Sequence, residues 1–407
     1  MNKQILVLNC GSSSIKYKLF DMPGGRLLAG GVVERIGEAE SRCRHTDATG
    51  EQTLTTPVPD HQHGLTLMMD LLTGGPSPAL GAQGGIAAVG HRVVHGGEAF
   101  TGSVLITDAV VQAIEAFSDL APLHNPPNLT GIRAATALFP EVPQAACFDT
   151  AFHSTLPEHA YLYALPYDLY ETHRIRRYGF HGTSHRYVAA RCAERLGKPA
   201  QALNAITCHL GNGCSITAVQ AGRSVDTSMG LTPLEGLVMG TRSGDIDPAI
   251  VFHLAEKSDF PSLQDLGEML NKRSGLAGLS GLSNDVRTLL AAAEAGHQRA
   301  ALALEVFAYR VKKYIGAYAA ILPGLDAVVF TGGIGENAPA VRRMILDGLD
   351  VSLGIALDGA ANAEAVGAVE AEIGGAGSRA RVFVIPTDEE RVIATDTFEL
   401  ISNSSRR

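Results

Sequence analysis

Several short stretches of the chain gather residue types that handle anionic oxygen. GHRVVHGGE (residues 90–98) sets Arg92 and His95 beside two glycines, and MGTRSGDIDP (239–248) presents Arg242 among small residues, with Asp245 and Asp247 following. A guanidinium in such company can hold phosphate or carboxylate through two parallel N–H bonds. Arg92 reads equally well as a solvated arginine; Arg242 is the stronger candidate. TGGIGEN (331–337) follows an apolar run and offers consecutive backbone N–H groups at a helix start. That setting suits phosphate or a nucleotide, although a plain glycine-rich turn has the same letters.

Histidines and carboxylates supply the other chemistry. DLAPLHNPPN (119–128) fixes His124 in a proline-bounded loop, and RRYGFHGTSH (176–185) carries His181 and His185 amid aromatics and glycine. No HExxH spacing is present, so hydrogen-bond donation suits these rings better than metal ligation, with a structural role as the alternative. FDTAFH (148–153) places Asp149 after an apolar stretch, as a site carboxylate or as a helix N-cap. PTDEE (386–390) packs three carboxylates after a strand; near phosphates one of them could hold Mg²⁺, and in isolation the run is a solvated turn. VLNCGSSSIK (7–16) runs from apolar residues into one glycine and three serines. It lacks the two glycines followed by Lys-Ser/Thr of a P-loop, so phosphate must be held differently or not at all.

The elements that must position these residues read as alternating strands and helices. Residues 5–8 form an apolar run, and Ile15, Tyr17 and Leu19 alternate with polar neighbours, which makes GSSS a hairpin tip. A related arrangement recurs where residues 205–210 run through GNGCS into 216–219. Two polar-tipped hairpins suggest a duplicated domain, though so short a similarity also arises by chance. Residues 46–64 read as loop or edge hairpin, 74–85 as a Gly/Pro connector, and 86–89 as a strand. Residues 108–117 have helical spacing, and 284–322 is Ala-rich with Val311, Ile315 and Tyr318 on one helical face. Strands at 326–330 and 382–385 deliver TGGIGEN and PTDEE at their ends, where ligands sit in α/β folds.

Composition narrows the function classes. At 407 residues the chain exceeds what one core usually serves, so two domains are expected. No apolar run approaches the length of a bilayer span, and the run after Lys3 lasts only from Ile5 to Leu8, too short for a signal-peptide core, which predicts a soluble, cytoplasmic protein without a membrane partner. A formal net charge of -9 argues against nucleic acid, whose binding needs clustered cations. The six cysteines show no CxxC or zinc spacing and read as reduced, mostly buried thiols.

Taken in order, NCGSSSIK, GHRVVHGGE, APLHNPPN, FDTAFH, RRYGFHGTSH, HLGNG, SVDTSMGLTPLEGLVMGTRSGDIDP, SNDVR, FTGGIGEN and IPTDEE resemble the acetate kinase family over nearly the whole chain. Each string alone is weak evidence; ten in the family's order are specific. The resemblance implies an α/β fold of two duplicated ribonuclease-H-like domains, as in actin-like ATPases, around a central cleft, usually in a homodimer. Residues 1–150 plus 386–407 would form the N-terminal domain, and 151–385 the nucleotide-binding domain. The implied activity is reversible, Mg²⁺-dependent, direct in-line phosphoryl transfer from ATP to acetate, giving acetyl phosphate and ADP, with Mn²⁺ able to replace Mg²⁺.

Residue roles follow from the same resemblance. Arg92 and Arg242 would clamp the acceptor carboxylate and the transferring phosphoryl group, and His181 would steady the transition state. Asn9, Asp149 and Glu389 match positions linked to Mg²⁺ and catalytic geometry. His124 would lie in the substrate pocket, with Val94, Leu123, Phe180 and Pro233 around the acyl methyl group. Ser12, Ser14 and Lys16 would surround the phosphates without a Walker lysine. The nucleotide loops would be His209, Leu210, Gly211, Asn212 and Gly213, then Asp285, Val286 and Arg287, then Gly333, Ile334, Gly335, Glu336 and Asn337. One departure is Asp388, where the family commonly has Asn, with Arg391 shortly after in place of an apolar residue. That carboxylate would either alter metal affinity beside Glu389 or be neutralised by Arg391.

These residue types suit the implied reaction. A carboxylic acid with a pKa near ~4 to 5 is already ionised at neutral pH and needs no general base. The obstacle is bringing an anion against an anionic γ-phosphate, so catalysis becomes positioning plus positive charge. Propionate or butyrate kinase is the alternative within the class, because a methylene in an apolar pocket is worth only ~1 to 3 kcal/mol; Val94 tips the balance toward acetate. A non-catalytic nucleotide switch or filament on the same fold would need the nucleotide loops but not Arg92, His181 and Arg242 together.

Overall fold

The structure, a computed structural model, describes residues 3–74, 78–80, 85–122, 124–257, 260 and 262–404. The chain divides into two compact units, Met1–Ser154 with Asp388–Arg407, and Thr155–Thr387.

In the first unit, β1 (Lys3–Gly11) and β2 (Ser14–Met22) are an antiparallel hairpin whose register closes at Gly11 opposite Ser14. Only Ser12 and Ser13 remain as the tip, as the apolar-to-serine transition predicts. The strands β3 (Arg26–Glu34), β4 (Ser41–Asp47) and β5 (Gly50–Thr56) continue the meander to the sheet edge. On the other side of β1 come β6 (Ile86–Val93), β8 (Gln144–Phe148) and β7 (Val104–Leu105), in the order β5-β4-β3-β2-β1-β6-β8-β7. The pairs β1/β6 and β6/β8 are parallel, so the carboxyl ends of all three strands meet at one edge. Residues 46–64 resolve into the outer half of the β4/β5 hairpin and the start of a helix, His61–Thr73, capped by the Asp60 side chain. Part of the Gly/Pro connector, residues 75–77 and 81–84, lies outside the described residues.

Two helices sandwich this sheet and set the site. The helix Asn125–Leu138 buries Leu129, Ile132 and Ala135 on one face, and Glu389–Ser404 buries Ile393, Ala394 and Ile401 on the other. Both approach so closely that glycine is required. A Cβ on Gly90 would stand 2.5 Å from Thr397 Oγ1 and 2.7 Å from Ile393 Cγ2, and one on Gly131 would collide with Cys10 Sγ.

The second unit repeats the plan. Its strands β9 (Asn204–Leu210), β10 (Cys214–Gln220), β11 (Arg223–Thr227), β12 (Ala327–Thr331), β13 (Ala371–Glu372) and β14 (Arg381–Val384) lie in the order β11-β10-β9-β12-β14-β13. Both sheets therefore contain a three-strand antiparallel meander, two parallel strands added to its first strand, and an antiparallel edge strand. The fold is duplicated α/β, and the two polar-tipped hairpins are equivalent elements of the repeat. The Ala-rich segment splits into two helices, Val286–Glu294 and Gln298–Ile321, because Gly296 takes a φ of 92° and His297 caps the second helix by accepting from Ala300 N–H. Val311, Ile315 and Tyr318 are buried as their spacing predicts. All six cysteines are free and buried, and among the described residues no helix is long and apolar enough to cross a membrane.

Candidate active site

At the strand-end edge of the first unit, Asn9 sits near the end of β1, Arg92 near the end of β6, and Asp149 directly after β8. Arg92 Nε donates to Asp149 Oδ1 at 3.0 Å and Nη2 to Oδ2 at 2.7 Å, a two-pronged pair around a carboxylate only 1% exposed. Burial by itself would lower the Arg92 pKa; Asp149, then Glu389 and Glu390, outweigh it and hold the guanidinium above its ordinary value. Asp149 is thus an ion-pair partner and not the helix N-cap its position also allowed. Glu389 opens the helix that packs over β1 and β6. Its neighbour Glu390 accepts from Lys18 Nζ at 3.0 Å; burial opposes its ionisation, yet Lys18 keeps its pKa below the usual range. The same Lys18 lies 3.6 Å from Asp388, whereas Arg391 offers Asp388 only its backbone N–H, at 3.3 Å. The partner of Asp388 is therefore Lys18, because the Arg391 guanidinium lies against Gly25 instead.

The β1/β2 tip holds exposed Ser12 and half-buried Ser14, and Lys16 stands opposite Asn9 in the register, so the two share a face. Val94 follows β6 with its N–H held by Asn128 Oδ1 at 3.1 Å, and His124 precedes the helix Asn125–Leu138. Leu123 lies outside the described residues.

In the second unit, Arg242 closes a tight turn: Met239 N–H donates to Arg242 C=O at 3.2 Å and Gly240 N–H to Asn212 C=O at 2.9 Å. Its Nη1 donates to Pro233 C=O at 3.3 Å, and no carboxylate pairs with it among the described residues. Burial accordingly pushes its pKa below the ordinary value. His181 shares its surroundings. A Cβ on Gly213 would stand 3.4 Å from both Arg242 Nη1 and His181 Cε1, so cation and imidazole converge over one glycine. His181 stacks on His209, with ring centroids 4.3 Å apart, and its neighbour Phe180 is buried. Burial drives the nearby Cys214 thiol and, in the first unit, Cys10 up to about 12, so neither is a thiolate nucleophile at neutral pH.

A cavity of about 470 Å³ in this unit is lined by Gly211, Asn212, Asp285, Val286, Arg287, Gly333, Ile334 and Asn337, together with Asn284, Leu290 and Ala338. Asn284 Nδ2 donates to Asn212 Oδ1 at 2.9 Å and joins two of the loops. His209, Leu210, Gly213, Gly335 and Glu336 do not line it. Glu336 turns inward: its Oε1 accepts from Gly332 N–H at 2.8 Å and from Thr387 N–H at 3.2 Å. One backbone amide that the glycine-rich turn was expected to offer an anion is therefore already taken.

The model of the acetokinase family matches residues 4–395. The chain belongs to that family. Among its acetokinase relatives, the acetate kinase of Halothermothrix orenii is 55% identical over 98% of this chain and 100% of its own length. That of Thermotoga maritima is 52% identical over 99% and 100%. The crystal structure of Porphyromonas gingivalis acetate kinase superposes with a TM-score of 0.92 at 46% identity, covering 98% of this chain and all of that one. A propionate kinase from Francisella tularensis subsp. tularensis superposes almost as well, with a TM-score of 0.91 at 44% identity over 98% and 100%.

Sequence reasoning missed the residues that hold these candidate side chains and loops in place. Asn128 accepts from Val94 N–H and donates to Cys10 C=O at 2.9 Å, and Asn125 donates to His95 C=O at 3.0 Å and accepts from His95 N–H at 3.1 Å. Both amides were visible in HNPPN, but nothing local names partners up to 118 residues away. Arg177 Nη1 gathers the carbonyls of Thr227, Ser228 and Met229, and its Nη2 donates to Glu235 Oε1 at 2.6 Å, while Tyr163 hydroxyl donates to Glu235 Oε2. This knot braces the loop that carries Pro233 and Arg242.

Proposed function

We propose that the chain catalyses reversible phosphoryl transfer from ATP to the carboxylate of acetate, giving acetyl phosphate and ADP. The observation that carries the choice of acceptor is the Arg92–Asp149 pair. A hydroxyl acceptor needs a base to take its proton, and both oxygens of Asp149 are engaged by one guanidinium. An acceptor that arrives as an anion needs no base; it needs positive charge and orientation. Arg242 is a guanidinium with no carboxylate partner among the described residues, set beside His181, and the group that complements the two is an anionic oxygen of the transferring phosphoryl group. Arg92 grips the acceptor, Ser12, Ser14 and Lys16 meet the phosphates, and the nucleoside occupies the cavity between Asn212, Arg287 and Ile334.

Mg²⁺ fits the donors present. Asn9 offers an amide oxygen and Glu389 a carboxylate, and among the described residues no three His, Cys, Asp or Glu side chains cluster into a protein cage. Mg²⁺ commonly takes one or two protein oxygens and completes its shell with phosphates and water. Bound there it would offset negative charge on the phosphates; Mn²⁺ has the same oxygen preference. Free, buried thiols suit a reducing compartment, and we place the protein in the cytoplasm as a homodimer; light scattering on the eluting peak should give twice the chain mass, and a monomer mass would overturn the dimer.

The propionate kinase likeness supports a second reading in which Val94, His124, Phe180 and Pro233 admit a longer acid. Trapping acyl phosphate as its hydroxamate, with kcat/KM for acetate, propionate and butyrate, tests both. Acetate should lead; a clear preference for the longer acids transfers the assignment, and no hydroxamate from any short acid removes it.

A further inference from the structure

His181 has a backbone φ of 57°, in the left-handed region that a non-glycine residue rarely occupies, at the start of the helix Gly182–Arg195. Its imidazole is fixed at one end of a buried polar chain. Thr207 Oγ1 lies 2.7 Å from His185 Nδ1, His185 Nε2 lies 2.7 Å from Ser215 Oγ, and Ser215 Oγ lies 2.9 Å from His181 Nδ1. Thr207, His185 and Ser215 are each 0% exposed. A hydroxyl carries one proton and two lone pairs, so Ser215 either donates to one of the two rings or accepts from both, and only donation to His181 leaves His181 Nδ1 bare. In that arrangement Thr207 donates to His185 Nδ1, His185 Nε2–H donates to Ser215 and Ser215 donates to His181 Nδ1. The neutral His181 ring must then carry its proton on Nε2. In the other arrangements Nδ1 holds the proton, and Nε2 becomes a donor only if the ring is also a cation. Arg242 Nη1 converges with His181 over Gly213 and disfavours that second positive charge; His209 stacks on the same ring, and His185 lies edge-on to His209.

We propose that Ser215, backed by His185 and Thr207, is a positioning residue that holds His181 as the neutral tautomer protonated on Nε2. The ring then presents a hydrogen-bond donor to an anionic oxygen without waiting for a proton from solvent. This rests on the phosphoryl-transfer reading, in which His181 faces the transferring group.

The test is a double-mutant cycle read in kcat and KM, together with the histidine side-chain ¹⁵N spectrum of the full-length protein. Ser215→Ala should lower kcat by about 10- to 100-fold while leaving both KM values within about threefold, the usual scale for losing an orienting partner. In a His181→Ala background the same change should cost less than about twofold, because Ser215 acts through that ring. Equal losses in the two backgrounds, or no loss in the first, overturn the proposal. The spectrum needs no turnover: His181, assigned by its disappearance in His181→Gln, should show a bare Nδ1 and a protonated Nε2 at neutral pH. A proton on Nδ1 refutes the relay even if Ser215→Ala fails to fold. Absence of acyl phosphate with the wild-type protein would sink the functional reading, and the spectrum would still decide the tautomer.

Discussion

Arg92→Ala and Arg242→Ala should separate two arginines that look alike in sequence. Arg92 is half of a pair whose partner, Asp149, is 1% exposed, so truncating it leaves a buried carboxylate without its counter-ion. Breaking a buried pair from one side costs about 3 to 5 kcal/mol. The Arg92 side chain retains 20% exposure, which argues for the low end, about 3 kcal/mol. For a unit of this size that lowers the melting temperature by roughly 6 to 12 °C. Among the described residues Arg242 has no carboxylate to strand, and its removal relieves a desolvated cation, so its variant should melt within about 2 °C of wild type. Both should lose about a hundredfold or more in turnover, the scale for deleting one well-placed charged donor. Differential scanning calorimetry without nucleotide gives the first comparison and hydroxamate formation the second. Equal melting shifts, or a shift in Arg242→Ala alone, would refute the distinction between a paired and an unpaired guanidinium; near-normal turnover in either variant would refute its role as a clamp.

Two other outcomes follow from the same edge of the first unit. Burial pushes His91, hydrogen-bonded to Gln144, down to about 4 from 6.5. The unfolded chain then binds a proton that the folded one refuses between those values, so stability is intact above about pH 6.5 and falls as pH drops toward 4; His91→Gln should flatten that acid limb in pH-dependent urea titrations, by about 3 kcal/mol at pH 4. Asn128→Ala should raise the KM for acetate severalfold and cost about 1 to 3 kcal/mol in stability, because it frees Val94 N–H and Cys10 C=O together; an unchanged KM in steady-state kinetics would show that Val94 is placed by other means.

The hairpin tips, the strand preceding TGGIGEN and the buried stripe of Val311, Ile315 and Tyr318 were legible because each depends on neighbours within a few positions. Periodicity and turn chemistry are local properties. The break of the Ala-rich segment was less so, since it turns on one left-handed glycine and a histidine cap. The family was legible as well, through motifs whose order along the chain is specific to it.

What sequence could not supply was the choice of partner. GHRVV and FDTAF display an arginine and an aspartate, but not that they form one ion pair, which turns Asp149 from a free carboxylate into the counter-ion of Arg92. Asp388 stands three residues from Arg391 and yet meets Lys18 from a distant strand. Glu336 belongs to a glycine-rich phosphate motif by its letters and caps its own helix in space. The residue types and the backbone elements were determined by the sequence alone, because propensity and hydrophobic spacing act over short range. Which charge is neutralised, which amide is already occupied and which guanidinium is left for a ligand were decided only by tertiary structure, because Coulomb attraction and hydrogen bonding depend on separation in space and on burial, and chain position encodes neither.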